Sequence, residues 1–332
     1  MVRFVRFRSP RILWVACAAA AALILVAPTA APASQSTSGM TAAAPCPRPG
    51  EVLYADRLPA GLSAVACDLV GRIVHGRQTG AAIPRPGEGV SAVADGKDGS
   101  WEELTLTTSP QGVLSVTHRK SAFTSTPDTV LVDNGCQDTY QPPITTRVSG
   151  TLAWYFNLAS KPTYLPQDVY AHIRAAANRV SNNSNNCGVA DGSSYSQRDA
   201  GTTTRNPNIN ASGSCTTRDT FNVTGFGAID PAGVLAVACR WYTLPGGQLV
   251  EGDERFDKSG TLWTLSPGSP DCSGRYDVQS VGTHEHGHIA GMEHANEADH
   301  PWLTMSTNIN GTCQASERTF ARGEANAWNV FY

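Results

Sequence analysis

Residues 284 to 294 read His-Glu-His-Gly-His-Ile-Ala-Gly-Met-Glu-His and match H-E-x-x-H-x-x-G-x-x-H at every fixed position. On a helix, His284 and His288 stand four residues apart and project from one face, so their imidazoles can share one metal ion. Gly291 can take the positive φ that stops a helix and turns the chain back, which lets His294 bring a third nitrogen. Three protein nitrogens with one position left open is the ligand count of a catalytic zinc site, not of a closed structural one. Glu285, beside the first ligand, is placed to take a proton from a water that the metal acidifies. The bland alternative is a metal-sticky histidine tract without catalysis, but such a tract has no use for Glu285 or Gly291.

The N-terminus bounds the compartment. Arg3, Arg6, Arg8 and Arg11 precede the apolar run from Ile12 to Ala27, Pro28 breaks it, and Ala31-Pro32-Ala33 supplies an A-x-A site. These are the three parts of a secretory signal peptide, with cleavage expected near Ala33. The run is shorter than a membrane span, and no second such stretch follows, so the exported chain is expected to be soluble and extracellular, with no membrane partner. Cleavage removes four of the 25 basic residues and no acidic one, leaving 21 against 28. An acidic chain of this kind gives no reason to expect nucleic acid as a partner.

Cys17 leaves with the leader, and eight cysteines remain: Cys46, Cys67, Cys136, Cys187, Cys215, Cys239, Cys272 and Cys313. An even number in an exported chain reads as disulfides. Pairing near neighbours gives Cys46–Cys67, Cys187–Cys215 and Cys272–Cys313, which leaves Cys136 for Cys239. No C-x-x-C spacing supports a zinc cage instead.

Residues 34 to 45 are rich in Ala, Ser, Thr and Pro and are expected to be disordered. Trp101 to Thr108 alternates polar and apolar, Ser109-Pro-Gln-Gly112 turns, and Val113 to Thr117 returns, which predicts a β-hairpin. Ala64 to Val74 fits a strand or a short helix. Gln141-Pro-Pro reads as a boundary. Beyond it, Gly150 to Leu158 predicts a buried strand, Pro166 to Asn182 an amphipathic helix, Asn182 to Ile209 a loop, and Gly233 to Tyr242 a strand. The histidine motif is expected on a helix capped by Asp277 and ending at Gly291. The division is therefore a leader at 1–33, a β-rich propeptide or accessory region at 34–140, and a metal-bearing domain at 141–332.

From about residue 145 onward the chain resembles the metzincin zinc endopeptidases, and among them the matrixins. Gly233-Val-Leu-Ala-Val-Ala is similar to the matrixin G-x-L-A-H-A strand. Gly252-Asp-Glu-Arg-Phe-Asp257 with Trp263-Thr264 is similar to G-D-x-H-F-D…W-T. Leu303-Thr-Met-Ser306 resembles the Met-turn, and Gly323 to Tyr332 resembles the last helix. The resemblance implies an α+β zincin fold with a twisted, mostly parallel sheet, an antiparallel edge strand, an active-site helix and Met305 beneath the metal. It implies one catalytic zinc ion on His284, His288 and His294. Matrixins hold a second zinc partly through two histidines whose places are taken here by Val237 and Arg255, so no structural zinc is expected. A calcium ion at Asp257 has little support, because Lys258, Ser259 and Gly260 replace its acidic partners. The cysteine-switch motif P-R-C-G-x-P-D is missing.

The activity this resemblance implies is cleavage of internal peptide bonds, with Glu285 as proton carrier. The substrate is expected to lie as an added strand on the backbone of Leu235 and Ala236. A monomer acting on proteins or peptides is expected. Two alternatives stay open: a non-catalytic secreted binding protein on the same scaffold, and an amidase acting on cell-wall peptides. His286 is expected to point away from the metal, and His300 to lie in a solvated loop.

Overall fold

The computed structural model describes residues 44–121, 135–309 and 311–332. The leader, the stretch 34–43 and the segment 122–134 lie outside them. In chain order, three short strands come first: β1 (Leu53–Tyr54), β2 (Ile73–His75) and β3 (Gly80–Ala82). Three long ones follow: β4 (Glu88–Gly96), β5 (Trp101–Thr108) and β6 (Leu114–Ser121). After the 122–134 segment come β7 (Thr151–Phe156), helix α1 (Val169–Ser181), β8 (Ser196–Thr202), β9 (Ser214–Cys215), β10 (Asn222–Gly227), β11 (Val234–Thr243) and β12 (Leu249–Asp257). β13 (Trp263–Thr264) and β14 (Tyr276–Asp277) precede α2 (Val278–Ile289) and α3 (Arg322–Phe331).

The main sheet has eight strands in the order β6-β5-β4-β11-β12-β10-β7-β8. Its β12, β10, β7 and β8 run parallel, as expected for this part of the chain. The expected edge strand is not an edge. β11 pairs antiparallel with β12 on one side and with β4 on the other, and β4, β5 and β6 extend the sheet antiparallel beyond it. The mostly parallel sheet therefore covers only half of what forms. The apolar run Val90-Ser-Ala-Val-Ala94, almost wholly buried, supplies the strand that takes the free side of β11.

A second sheet, β1-β2-β3-β9, lies against the first. Between them Leu62, Leu69, Val74, Ile83, Leu104 and Trp241 form one core. Both sheets join residues from before 122 with residues from after 150, and Ala43–Tyr332 gathers into one compact unit. On the other face of the main sheet, α1 buries Val169, Ile173, Ala176, Ala177 and Val180 at helical spacing. It packs with α2 over Phe156, Phe226, Phe256 and Trp263.

Three local readings need correction. Ala64 to Val70 is a series of turns rather than a strand or helix, because Cys67 is tied to Cys46 and Gly71 sits at φ +85°. The Asn182–Ile209 stretch is not all loop, since β8 pairs with β7 there. Its side chains are polar because β8 is the last strand of the sheet and largely half-exposed. Two disulfides match the near-neighbour pairing, Cys46–Cys67 and Cys272–Cys313. The other two are Cys136–Cys187 and Cys215–Cys239. Arg322 draws the carbonyls of Cys136 and Cys187 together at the start of α3, and Cys215 is buried in the core beside Cys239 of β11. No helix among the described residues is long and apolar enough to cross a membrane.

Candidate metal centre

α2 begins where Asp277 caps it. The carboxylate accepts from Ser280 N at 2.9 Å and is itself gripped by the two-pronged guanidinium of Arg318, both contacts at 2.7 Å. A side-chain cap of this kind stabilises a helix by about 1 kcal/mol, and the paired charge-assisted bonds add to it. All twelve residues of α2 are buried. A helix so enclosed holds its side chains to fixed directions, which is what a metal site requires.

The helix stops at Ala290. Gly291 takes φ +99°, and any Cβ there would run into the carbonyl of Thr146. Both facts restrict the position to glycine, the first by backbone conformation and the second by space. The turn then returns His294 to the helix. Met305 lies beneath, its sulfur packed against Gly287 with Met292 beside it.

His284, His288 and His294 meet at their Nε2 atoms, 3.0, 3.1 and 3.2 Å apart. The far nitrogens of two rings are already committed. His284 Nδ1 is 2.7 Å from the carbonyl of Thr304, and His288 Nδ1 is 2.9 Å from that of Met292. A carbonyl only accepts, so each Nδ1 carries its proton, and the lone pair that such a ring offers a metal when neutral is the one on Nε2. Lone pairs converging at this distance repel one another unless a cation sits among them. Backbone carbonyls fixing the tautomer in this way are the usual outer support of metal-binding histidines.

Asp95 joins the group, and nothing in the sequence had marked it. It stands near the end of β4, opposite Ala236 of β11, where the pairing register shifts between Val234 and Ala236. Its oxygens lie 2.7 Å from His294 Nε2, 3.6 Å from His284 Nε2 and 3.7 Å from His288 Nε2. Neither oxygen meets a donor at a hydrogen-bonding angle, although both are buried. Burial works to raise this carboxyl, yet His294 and His284 hold it well below the usual carboxylate range. Asp95, His284, His288 and His294 form a group that could hold a metal ion. The one available signal was an acid closing a buried apolar strand, since a charge is rarely buried without a partner.

Glu285 is fully buried, and neither of its oxygens has a hydrogen-bond partner. Burial first, then the nearby carboxylates of Asp95 and Glu254, push its carboxyl well above the usual range. His286 turns away from the cluster as expected, and its Nδ1 lies 2.9 Å from Glu254 Oε1. His300 is not simply solvated: it stacks on Tyr140 at 4.1 Å, with Asp138 2.9 Å from its Nδ1. Tyr332 donates to the carbonyl of Ala290, and Tyr276 to that of Lys97, so both hydroxyls serve the backbone. Leu235 and Ala236 are buried in the core under α1 and α2, and the backbone edge expected to receive substrate is paired with β4. Asp257, the one residue considered for calcium, accepts from Ile229 N, Ser259 N, Ser259 Oγ, Gly260 N and Thr261 Oγ1.

No protein-family model, no curated protein and no solved structure matches this chain.

Proposed function

We propose that the chain is a secreted zinc-dependent endopeptidase of the metzincin, matrixin-like kind, held in a latent form by its own N-terminal strands. One observation carries the reading: three imidazoles, two of them with fixed tautomers, converge beside a buried carboxylate, Glu285, that has no hydrogen-bond partner. The donor set fits zinc, which takes imidazole nitrogens and carboxylate oxygens in a four-coordinate shell. His284, His288 and His294 would hold the ion, with Asp95 in the fourth position. When bound, zinc supplies Lewis acidity that brings the pKa of a water near 7 and polarises a scissile carbonyl.

The remaining work falls to residues of the chain. Glu285 takes a proton from the attacking water and gives it to the departing amine as the C–N bond breaks. Its dry surroundings favour the protonated form, which suits the second half of that task. The N–H and C=O groups of β11 at Leu235 and Ala236 hold an extended peptide by strand addition once β4 has left. Until then Asp95 stands where the water belongs and β4 stands where the peptide belongs.

The test is zinc content together with casein or gelatin cleavage by the secreted protein, before and after limited proteolysis. Wild type is compared with Glu285→Ala. Zinc in both proteins, with cleavage by the wild type alone, is the expected result. Equal cleavage by the two would overturn the reading.

A further inference from the structure

We propose that Arg240 is the positioning residue of the metal centre, fixing the turn that carries His294 to the strand that faces the site. This rests on the metal-binding part of the reading above and not on peptide hydrolysis.

Arg240 lies on β11, four residues beyond Ala236, with its side chain only 4% exposed. Its Nη1 donates to the carbonyl of His288 at 3.0 Å. That carbonyl belongs to the last turn of α2, where it also accepts from Gly291 N at 3.0 Å and the helix dipole favours a cation. Its Nη2 donates to the carboxylate of Glu293, the residue before His294, and to Thr145 Oγ1 at 3.3 Å. Thr145 Oγ1 in turn donates to Glu293 Oε1 at 2.6 Å. The backbone closes the same loop. Thr145 N donates to Gly291 O at 2.9 Å, and Glu293 N donates to Pro143 O at 2.9 Å. One planar guanidinium thus binds the end of α2, the return turn and the strap at residues 143–145. A lysine ammonium lacks the fork to reproduce these contacts.

The charges around it also divide in a telling way. Arg119 on β6 contacts both Glu103 and Glu293, and Glu103 on β5 lies 3.5 Å from Arg240 Nη2. Glu103 and Arg119 come from the N-terminal strands, Arg240 and Glu293 from the metal-bearing part. Each half is neutral by itself. Losing the N-terminal half would leave Arg240 still paired with Glu293, so the turn keeps its anchor in either form, whereas a lone buried charge would be costly.

The test is binding of Co2+, read by its visible absorption and by competition with a chromophoric chelator, on the full-length protein. Arg240→Gln should weaken Co2+ binding by about 10- to 100-fold, the scale for groups that orient metal ligands, and should change the absorption bands as His294 loosens. Arg240→Lys, which keeps the charge, should fall between Arg240→Gln and wild type. Glu103→Gln alters the same network without removing any contact that Arg240 makes to the turn. It should bind Co2+ as wild type does, even where its thermal unfolding temperature drops. Wild-type affinity and spectrum in Arg240→Gln would overturn the proposal. So would equal weakening by Glu103→Gln, which would mark a general loss of stability. Where Arg240→Gln does not fold, wild-type affinity in Arg240→Lys overturns it. A wild-type chain that takes up no Co2+ would sink the metal reading itself, a result distinct from metal binding without proteolysis.

Discussion

Asp95 Oδ1 lies 2.7 Å from Nε2 of His294, yet the two atoms do not share a hydrogen bond of acceptable geometry. The carboxylate approaches along with two further imidazole nitrogens, both of which belong to rings that must be protonated on their far side. A group of acceptors gathered this closely is the arrangement of a coordination shell. Asp95 reaches it because β4 pairs with β11, so the fourth donor and the strand that covers the substrate edge arrive on one element.

Asp95→Ala in the full-length protein should therefore keep zinc on three imidazoles and open the fourth position. A small hydroxamate, a chelating zinc ligand, should bind the variant and not the wild type, as read by calorimetry. Long peptides should still be excluded, since β4 remains on β11. Loss of zinc from the variant, or equal hydroxamate binding by both proteins, would mean that Asp95 does not act as a removable stopper.

Glu285→Ala removes the proton carrier and no ligand. On protein activated by limited proteolysis, turnover should fall by about a hundredfold or more, the scale of general acid–base catalysis, at unchanged zinc content. The variant should unfold at the same temperature as wild type or higher, because the buried carboxyl that it loses has no hydrogen-bond partner and burying one without a partner is unfavourable. A marked fall in unfolding temperature would point to a structural role.

His294→Ala and His286→Ala should part company. The first deletes one of three converging nitrogens and should lower zinc occupancy measured by atomic absorption. The second deletes a partner of Glu254, 2.9 Å away and buried. It should leave zinc stoichiometry intact while costing about 1–3 kcal/mol of stability, the penalty for stranding a buried acceptor. Loss of zinc from His286→Ala would contradict the orientation seen here.

What the sequence made legible is what local chemistry dictates. The ligand spacing, the Asp277 cap, the turn at Gly291 and the hairpin at 101–121 depend on neighbours in the chain, and each forms where its pattern stands. Asp95, Arg240 and Glu324 were not legible, because their partners come from distant elements brought together only by the main sheet and the last helix. The Cys187 and Cys215 pairing failed for the same reason. Closeness in sequence favoured a bond between them, while Arg322 and the core beneath β11 placed each beside a different partner.

Glu324 makes the stability dependent on pH. It is fully buried, accepting from Met305 N at 2.7 Å and Ala321 N at 2.8 Å, and so ties the turn at Met305 to α3. Burial pushes its carboxyl up to about 7 from an ordinary 4.5, against the pull of those two donors. Between the two values the folded state binds more protons than the unfolded one, so stability falls as pH rises through this window. The whole decline amounts to about 3 kcal/mol at most. Glu324→Gln does not titrate, so its stability should depend less steeply on pH than that of wild type. Urea unfolding of the chelator-treated proteins from about pH 5 to about pH 7.5 gives the comparison. Parallel pH profiles would exclude this role for Glu324.

On the proposed reading β4 must leave β11 before a peptide can bind, and the disulfides bear on where the chain can open. Cys46–Cys67 closes within the N-terminal strands, and the other three bonds join residues from Cys136 onward. Among the described residues, no disulfide therefore crosses from before 122 to after 134. One cut between Ser121 and Cys136 would leave β1 to β6 held to the rest without a disulfide, by strand pairing, packing and side-chain contacts such as Glu88–Arg218, Lys97–Asp257 and Arg119–Glu293. Cys136–Cys187 would keep the new N-terminus at the start of α3, where Gly135 O accepts from Arg322 N at 3.1 Å. A mature start between about Thr124 and Asn134, which would mark the 34–140 region as a propeptide, falls outside the described residues, but the bonds on either side of it are compatible with release. N-terminal sequencing of secreted, active protein decides the matter. A start in that interval, with loss of the 34–121 fragment under native conditions, is the expected result. A fully active chain beginning near Ser34 would show instead that the eight-stranded sheet is permanent and that the N-terminal strands are an accessory part of the working protein.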